Sequence, residues 1–532
     1  VNGHRINLDG KDLDMYLRTL PSENVSKIEL VTNPSAEFDA EGNCGVINII
    51  LKSKPVGFDG NVHTVLTQRS HFSAEEGIGL SFSSGNFSVE YKINNSNEKR
   101  RQIVQNTYSY PDYMRFTTDN TLNRYDILGQ NLNSNYQLGD LNLGFFATLN
   151  NSRSKAHQMG QMTFNADACP SNHDKYRLET ISPYVDWKLD SLGKKVTVNY
   201  NYIHVIDKIN QNFDSSTAHN FSNSNNDYSY IVNTLSADLN LPFTWLNFEL
   251  GGKYSHFRTN NVSEFGSRNG FLYKETVTAF YADVNRMFGS FYAKAGLRYE
   301  HTNDDGITLE GLSVSNKYNH WFPFAEISYN PSDNHSFALS YSKRIDRPSM
   351  NDMNPTRVFR NTYTYTEGND RLTPSVMDNL EFNYVFKGNF SFNLYYYHTS
   401  DAIQNLTQVV DDLFTKYSPK NCLTINTFGT DASYNFSFGK FNLYSSVSMF
   451  YVKAKSYVDE LDDKDLRSLN TSFSANLSYR YKVLNFYANY YHVLPGIEES
   501  FHTGNIDCVG LGCKIDIIKN KLLLNIQAQD IF

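Results

Sequence analysis

Residues 389–398 read NFSFNLYYYH, in which apolar and polar side chains alternate over the length that a tilted strand needs to cross a bilayer. The same alternation recurs as NFSVEYKI at residues 86–93, KKVTVNYNY at 194–202 and VLNFYANYY at 483–491. Short turns and long loops follow each other in strict alternation between these stretches. Short turns at one rim and long loops at the other are typical of a transmembrane β-barrel. The sequence therefore predicts an all-β transmembrane protein.

The number of strands follows from these repeats. We expect about 21 strands in an antiparallel barrel of about 22, because bacterial single-chain barrels have an even number. The chain starts without Met inside an apparent folded unit and ends within the strand pattern LLLNIQAQDIF. We therefore expect a fragment cut at both ends, with the last strand missing. The long loops are expected, among other places, near residues 96–120, 346–370 and 399–420.

The predicted strands start near residues 58, 74, 86, 121, 140, 175, 194, 228, 245, 273, 290, 318, 334, 371, 389, 421, 440, 466, 483, 503 and 520.

Composition fits a barrel and argues against a helical membrane protein. Tyr and Phe number 37 each, and such an excess of aromatic residues is expected for girdles at two bilayer interfaces. Mean hydropathy is only -0.50, which agrees with a barrel in which every second strand residue faces a wet lumen. The sequence has no run of 18 apolar residues, so no helix is expected to span a membrane. A net charge of -8 without a basic block argues against a nucleic-acid partner.

Alternation also assigns the strand residues to faces. A charge on the lipid face at the bilayer centre costs about 2–4 kcal/mol, so the face that carries charges must line the lumen. A soluble all-β sandwich or solenoid is the alternative, but soluble sheets do not alternate turn lengths so regularly. The predicted lipid-facing residues are Phe291, Ala293, Ala295, Leu297, Phe390, Phe392, Leu394, Tyr396, Phe486, Ala488, Leu522 and Leu524. The predicted lumen-facing residues are Lys294, Arg298, Glu300, Ser391, Asn393, Tyr395 and Tyr397.

Residues 1–54 follow a different pattern. The segment GKDLDMYLRTLP (10–21) places Leu13, Tyr16, Leu17 and Leu20 at helical spacing and ends at Pro21. Two short apolar strands follow, KIELV (27–31) and GVINIIL (45–51), joined by the turn-rich segment TNPSAEFDAEGN (32–43). We therefore expect a small α+β unit at 1–54 and the barrel at 55–532.

The segment KIELVTNPSAEFDAEGNCGVINIILK (27–52) resembles the plug signature of TonB-dependent outer-membrane receptors. The run NPSA (33–36) and the run DAEG (39–42) are similar to the subfamily of outer-membrane β-barrel proteins, which often carry a carboxypeptidase-regulatory-like domain upstream. One departure is Cys44, where the family usually has a small residue. The matching positions are Ile28, Glu29, Asn33, Pro34, Gly42, Gly45, Val46, Ile47, Asn48 and Ile49.

A second block supports the same resemblance. The segments YSKRIDRPSMNDMNP (341–355) and EGNDRLTPS (367–375) are similar to a pattern of that subfamily, with Asp370 in place of its usual Pro. The resemblance covers essentially the whole chain. It implies that residues 1–54 are the C-terminal part of a plug in the barrel lumen. The first half of the plug and the TonB box would precede Val1.

The resemblance also implies a function. It implies TonB-dependent active import of a scarce ligand, such as an iron chelate, a glycan, a peptide or a vitamin-like compound, across the bacterial outer membrane. It implies neither catalysis nor a cofactor. The implied partners are TonB, through the segment before Val1, outer-membrane lipid, a small or oligomeric nutrient ligand, and a surface lipoprotein.

Two other classes of function stay open. One is a barrel that binds a ligand or partner without active transport, as an adhesin, an assembly factor or a signalling receptor. The other is an outer-membrane hydrolase barrel, a class with far fewer strands than this sequence predicts. Residues 1–54 argue against an open pore because they resemble a plug.

Charged and metal-ligating residues form no motif for catalysis or for a metal. The sequence has no HExxH, GxSxG, Walker or dinucleotide pattern, and DELDDKD (459–465) lacks the spacing and the Gly of a calcium loop. We expect that segment to be a solvated acidic loop. We expect Glu29 and Asn48 to make a structural contact between plug and barrel rather than a direct contact with the substrate. We expect Arg344 and Arg347 to pair with luminal acids rather than with an anionic ligand.

Aromatic residues in three long loops are the predicted ligand contacts. Exposed rings suit sugars, peptides or aromatic iron chelates, although an aromatic girdle or packing between loops would explain single residues equally well. These candidates are Tyr108, Tyr110, Tyr113, Phe116, Phe359, Tyr363, Tyr365, Phe414 and Tyr417.

The five cysteines are an odd number, so at least one has no disulfide partner in the chain. Cys169 and Cys422 both fall in predicted external loops, where a disulfide between them is one alternative.

Overall fold

A computed structural model describes residues 13, 17, 25–31, 33–42, 45–52, 56–109, 114–162, 169–214, 223–265, 267–361, 364–410, 414–459, 464–498, 501–519 and 521–531. The strands are β1 (Val25–Val31), β2 (Val46–Leu51), β3 (Gly57–Gln68), β4 (Phe72–Ser84), β5 (Phe87–Ser109), β6 (Met114–Leu138), β7 (Leu141–Met162), β8 (Cys169–Lys188), β9 (Lys195–Asp214), β10 (Asn223–Pro242), β11 (Asn247–Phe265), β12 (Ser267–Phe288), β13 (Phe291–Thr308), β14 (Ser313–Ser332), β15 (His335–Asp346), β16 (Val358–Asn361), β17 (Thr364–Thr366), β18 (Ser375–Phe386), β19 (Phe390–Val410), β20 (Phe414–Phe438), β21 (Phe441–Ser456), β22 (Asp465–Tyr481), β23 (Leu484–Val493), β24 (Gly496–Glu498), β25 (Phe501–Thr503), β26 (Ile506–Ile518) and β27 (Leu522–Gln529). The helix α1 (Met350–Met353) lies between β15 and β16.

The long strands form one closed barrel, and the predicted fold class is confirmed. In the described part of the chain, 21 long strands take part, namely β3 to β15, β18 to β23, β26 and β27. Consecutive long strands are antiparallel neighbours, including β15 with β18 and β23 with β26 across the inserted short strands. In the order of the closed barrel, β27 is followed by β3.

The short turns sit where the sequence predicts them. Strands that follow a short turn begin within two residues of their predicted starts, as at Asn247, Phe291 and Phe441. Gly139 and Gly289 each have a φ of 58° at the first position of a two-residue turn. Only Gly adopts this left-handed conformation at no steric cost, and a turn with Gly at its first central position matches the twist of a β-hairpin. We call this edge of the barrel the short-turn rim.

The long loops are shorter than the sequence predicts, because the strands continue past the bilayer. The loop expected at residues 96–120 is largely strand, since β5 and β6 stay paired up to Ser109 and Met114. Similarly, β19 and β20 stay paired up to Val410 and Phe414. Outside the membrane both strand faces meet water, so the apolar alternation stops while the backbone pairing continues. The pattern used for the prediction therefore ends before the strand does.

The predicted faces of the strands are confirmed. Phe291, Leu297 and Tyr396 are exposed on the outer wall. Arg298, from the predicted luminal set, contacts residue 36 inside the barrel. The register fixes both faces at once, since a shift of one residue would invert them. Among the described residues, no helix is long and apolar enough to span a membrane, a finding that concerns helices alone.

The N-terminal segment forms a small sheet of its own. β1 and β2 pair in antiparallel register, with Ile28 opposite Ile49 and Glu29 opposite Asn48. The short apolar runs KIELV and GVINIIL in the sequence predict both strands. Residue 13 and residue 17 are helical, and the rest of the predicted helix lies outside the described residues.

The segment between β15 and β18 crosses the long-loop side of the barrel. Its helix α1 is capped by Ser349, whose side chain accepts a hydrogen bond from the backbone of Asp352, and packs Met350 and Met353 against Phe271 of β12. Further along, β17 adds to β20 as a parallel neighbour, with Thr366 beside Tyr417. One inserted segment therefore connects two distant parts of the wall.

Candidate functional site: the contact between the N-terminal segment and the inner wall

Residues 33–42 lie against the inner wall of the barrel, and we call them the luminal loop. Asn33 Nδ2 donates to Ser340 Oγ of β15 at 2.9 Å. The backbone amide of Ala36 donates to Asp283 Oδ1 of β12 at 3.3 Å. Ala40 packs against Phe322 and Ile345 in a small buried cluster. The loop that joins β1 to β2 therefore contacts the inward face of the barrel.

The luminal loop also pairs with the barrel through its backbone. Ile345 N donates to Ala40 O at 2.9 Å, and Gly42 N donates to Ile345 O at 3.1 Å. These two bonds form a parallel bridge at the edge of β15. Gly42 has a φ of 91°, a conformation that L side chains rarely adopt, so a glycine is required where the loop leaves the wall.

A gap between two wall strands makes room for this bridge. Pairing of β14 with β15 ends at Phe324 and Ser342, and the next residue of β14 is Pro323. Proline has no N–H to donate, and it occurs in sheets at positions where that donor has no partner. Beyond Pro323 the two strands separate, and Ile345 pairs with the luminal loop instead.

A series of ion pairs joins the luminal loop to the wall. Asp39 accepts from Lys253 Nζ of β11 at 2.7 Å with both carboxylate oxygens, and from Arg298 of β13 at 3.1 Å. The Arg298 guanidinium lies over the ring of Tyr281, with its Cζ 5.1 Å from the ring centre. Arg298 is almost fully buried, so its charge depends on these partners.

The series continues through a second carboxylate. Glu300 is buried between Arg298 and Arg347, each of which donates to a different oxygen of Glu300. Arg347 also donates to Glu41 Oε2 of the luminal loop at 3.1 Å. Two acids of the luminal loop, Asp39 and Glu41, thus hold the two ends of a chain of charges on the wall.

Close approach of the loop depends on a missing side chain. A Cβ atom added to Gly296 of β13 would lie 1.9 Å from Asp283 Oδ1 and 3.0 Å from the Cβ of Ala36. Real Cβ atoms do not come so close to other heavy atoms. Gly296 therefore leaves the space that both the Asp283 carboxylate and the luminal loop occupy.

The carboxyl group of Glu37, in the same loop, has a raised pKa. Burial among the wall residues is the main cause that raises the pKa of Glu37 to about 7. The carboxylates Glu249, Asp283 and Asp238 contribute to this rise, and Lys294 opposes it. Glu37 is therefore only partly ionised at neutral pH.

The predicted charged contacts are partly confirmed. Arg347 pairs with the luminal acid Glu300, as expected, whereas Arg344 donates to the backbone oxygen of Gly42. The expected contact of Glu29 with the barrel is wrong, because Glu29 accepts hydrogen bonds from Asn48 and Lys27 within the N-terminal sheet. Cross-strand partners in a two-stranded sheet satisfy each other more readily than a distant wall does.

Most of the aromatic candidates stay predictions. For Tyr108, Phe359 and Phe414 the structure describes the backbone only. Tyr110, Tyr113 and Tyr363 lie outside the described residues. The pairing of Cys169 with Cys422 also stays a prediction, since the side chain of Cys169 is outside the described residues.

Three of the aromatic candidates can be located. Phe116 is exposed on β6, and Tyr417 is half-buried on β20 beside the inserted strand β17. Tyr365 is buried, with Arg357 4.9 Å above its ring, so the expectation that its ring is exposed is wrong. The pairing of β17 with β20 brings together the predicted loops at 346–370 and 399–420, the seventh and eighth along the chain. β6, which borders the second loop at 96–120, lies on the opposite side of the barrel.

The sequence reasoning missed most of the charge series. It placed Arg298 and Glu300 in the lumen, but it did not connect them with Asp39, Glu41 or Lys253. Asp39 and Arg298 are 259 residues apart, and no sequence motif links residues at such a distance. Within the described residues, no group of three or more His, Cys, Asp or Glu could hold a metal ion.

Replacing Arg298 tests the charge series. Arg298→Met keeps the volume but leaves Asp39 without one partner and Glu300 with only Arg347, and breaking a buried pair in this way costs about 3–5 kcal/mol. We expect amide exchange in peptides that contain residues 39–42 and 345 to accelerate by at least about 100-fold, since 1.36 kcal/mol corresponds to a factor of ten. Arg286→Met, at an exposed position of β12, is the control. Unchanged exchange in Arg298→Met would show that these ion pairs do not hold the loop.

Solved structures show which proteins share this architecture. The FrpB iron transporter from Neisseria meningitidis is 13% identical, with a TM-score of 0.66 over 96% of this chain and 83% of that one. The siderophore receptor PirA from Pseudomonas aeruginosa is 15% identical, with a TM-score of 0.65 over 96% and 84%. The copper transporter OprC is 12% identical, with a TM-score of 0.70 over 96% and 82%. Such low identities establish a shared fold alone.

Sequence comparison identifies the family. A search of curated proteins gives no match. The model of the outer membrane protein beta-barrel family matches residues 187–532, which is more than half of the chain and extends from the end of β8 through β27. In such barrels the short turns face the periplasm and the long loops face the exterior. The chain belongs to the outer membrane protein beta-barrel family and is an integral protein of the bacterial outer membrane.

Proposed function

We propose that this protein imports a scarce ligand across the outer membrane in a TonB-dependent, energy-driven way. The observation that carries the proposal is the luminal loop, which is fastened to the inner wall by ion pairs and a backbone bridge. A barrel of this size has a lumen that must be plugged if the membrane is to stay sealed. The shared fold with an iron transporter, a siderophore receptor and a copper transporter supports the same proposal.

In this proposal, residues 1–54 are the C-terminal part of the plug and residues 55–532 are the barrel. The contacts of residues 33–42 with β11 to β15 support this division. The first barrel strand starts at Gly57, close to the proposed boundary.

The contacts of the luminal loop suit reversible release. Charged hydrogen bonds break without covalent chemistry, and each partner can be solvated once water enters the lumen. Ligand binding on the outer side would favour a plug conformation that TonB can pull, because a ligand shifts an equilibrium only by its difference in affinity for two states. No catalytic residue is needed for such a cycle.

We further propose that aromatic side chains of the long loops contact the ligand. The seventh and eighth loops lie together at one side of the barrel mouth, and the second loop faces them from the other side. Two aromatic surfaces across an opening can hold a flat or ring-shaped ligand from both sides. Buried Tyr365 would act by supporting the seventh loop and not by direct contact.

Uptake in cells tests the proposed transport. We expect accumulation of the physiological ligand by cells that carry the full-length protein to fall to background when TonB is deleted or when the proton motive force is collapsed. Ligand binding to the cell surface should persist under both conditions. Uptake that continues without TonB would favour a barrel that binds its partner without active transport.

A double substitution tests the proposed ligand contacts. Tyr110→Ala combined with Tyr363→Ala removes one ring from each side of the mouth, and we expect ligand affinity to fall at least about tenfold, since burying an aromatic ring is worth more than 1.4 kcal/mol. Phe243→Ala replaces an exposed aromatic residue of the short-turn rim and serves as the control. Heat-modifiable folding should be intact in all variants. Unchanged affinity in the double variant would place the ligand site elsewhere.

A further inference from the structure

Four buried oxygen atoms without hydrogen-bond partners lie on the luminal face of β15 and β18, beside the start of the luminal loop. They are Asn33 Oδ1, Ser342 Oγ, Asn379 Oδ1 and Glu381 Oε2. The exposed fractions of these residues are 6%, 2%, 7% and 2%. Buried polar atoms are almost always paired, so four orphans at one place require an explanation.

The strand register places these residues in a single patch. Ser340 is directly opposite Glu381, and Ser342 is directly opposite Asn379. Residues that oppose each other across antiparallel strands have Cβ atoms about 4.5–5.5 Å apart, and alternate residues of a strand share a face. Asn33 joins the patch from the luminal loop, because its Nδ2 donates to Ser340 Oγ at 2.9 Å.

Glu381 is the carboxylate among these four residues, and Glu326 of β14 lies directly opposite Ser340 on the same luminal face. One of the Glu381 oxygens accepts a hydrogen bond from the Tyr397 hydroxyl at 2.8 Å, and the other has no partner. Within the described residues, the ion pairs of the lumen involve other acids, such as Glu300 and Asp39. A buried carboxylate is stable only if it is paired, protonated or bound to a cation.

We infer that these four oxygens hold a monovalent hard cation, Na⁺ or K⁺, between the luminal loop and the barrel wall. Hard cations take carboxylate, amide and hydroxyl oxygens as ligands. One formal negative charge balances one monovalent ion, whereas tighter Ca²⁺ sites collect more carboxylates.

A cation differs from a proton or a water in a way that can be measured. The Ser342 hydroxyl can donate to one of the other three oxygens, and a proton on Glu381 or a bound water would supply one or two further donors. A cation can be shared by all four oxygens at once.

The site has no signature in the sequence. Its ligands come from the luminal loop, β15 and β18, and only one of them is a carboxylate, so no metal motif is formed. The bound cation would tie Asn33 to two wall strands and would stabilise the docked loop. This role does not depend on which ligand the barrel transports.

Thermal unfolding of the purified full chain in detergent tests the inference. The midpoint is measured in NaCl, KCl and choline chloride at equal ionic strength, because choline is too large to enter the patch. We expect the midpoint to be about 2 °C or more higher in NaCl or KCl than in choline chloride, since a ligand that binds only the folded state stabilises it. Glu381→Gln, which keeps the shape and removes the charge, should abolish this difference.

Control variants keep the outcome decisive. Asp186→Asn removes a buried carboxylate on β8, several strands away from the patch around the barrel, and should retain the cation-dependent difference. If Glu381→Gln does not fold, Asn379→Ala and Ser342→Ala each remove one ligand and should raise the half-maximal cation concentration at least fivefold.

Three results would overturn the inference. The first is an equal midpoint in all three salts, which would indicate ordered water. The second is a response to CaCl₂ alone, which would indicate a divalent site. The third is a midpoint that depends on pH but not on the cation, which would indicate a protonated Glu381.

Discussion

The interior of this barrel depends on the hydrogen bonds that the Arg298 guanidinium donates. This guanidinium donates to Asp39 of the luminal loop and to Glu300 of its own strand, and it is almost fully buried over Tyr281. A buried cation of this kind is stable only while its acids stay in place. The loop, the wall and the second arginine Arg347 are therefore held by one shared set of charges. Neutralising any member leaves its partners in the lumen with one charged hydrogen bond fewer.

Two kinds of contact act together at this interface, and they differ in how they break. The ion pairs can be solvated and released one at a time as water enters. The backbone bridge between Ile345 and residues 40–42 is a short piece of sheet that fills a gap in the wall where Pro323 separates two strands. Docking of the loop therefore also completes the pairing of β15. A plug that is held in both ways can seal a wide lumen at rest and still be released by a directed pull.

The barrel could be predicted from the sequence because its signal is local and repeated. The alternation seen in NFSFNLYYYH and the glycine turns both repeat along the chain. The number of strands, their two faces and the first residues of the strands that follow short turns can therefore be predicted from the sequence. The interior could not be predicted in the same way. Asp39 and Arg298 are far apart in the sequence, Asn33 meets Ser340 only after the barrel closes, and Tyr365 is buried by an insertion with no periodicity. At the long loops the sequence predicts strand ends that are too early. Outside the membrane both faces of a strand meet water, so the apolar alternation stops while the backbone hydrogen bonds continue.

Docking of the luminal loop inside the barrel is the central claim, and a disulfide measures it directly. Glu41→Cys and Ile345→Cys place thiols on bridge partners. A disulfide needs Cα atoms about 4.4–6.8 Å apart, and we expect residues paired in a β-bridge to meet this requirement. The native cysteines are replaced by Ser, and Glu29→Cys with Asn48→Cys serves as the control pair within the N-terminal sheet. In native membranes under mild oxidation, the account predicts that peptide mapping recovers both cross-links in high yield. If the control disulfide between residues 29 and 48 forms but the disulfide between residues 41 and 345 does not, the luminal loop is not docked on β15.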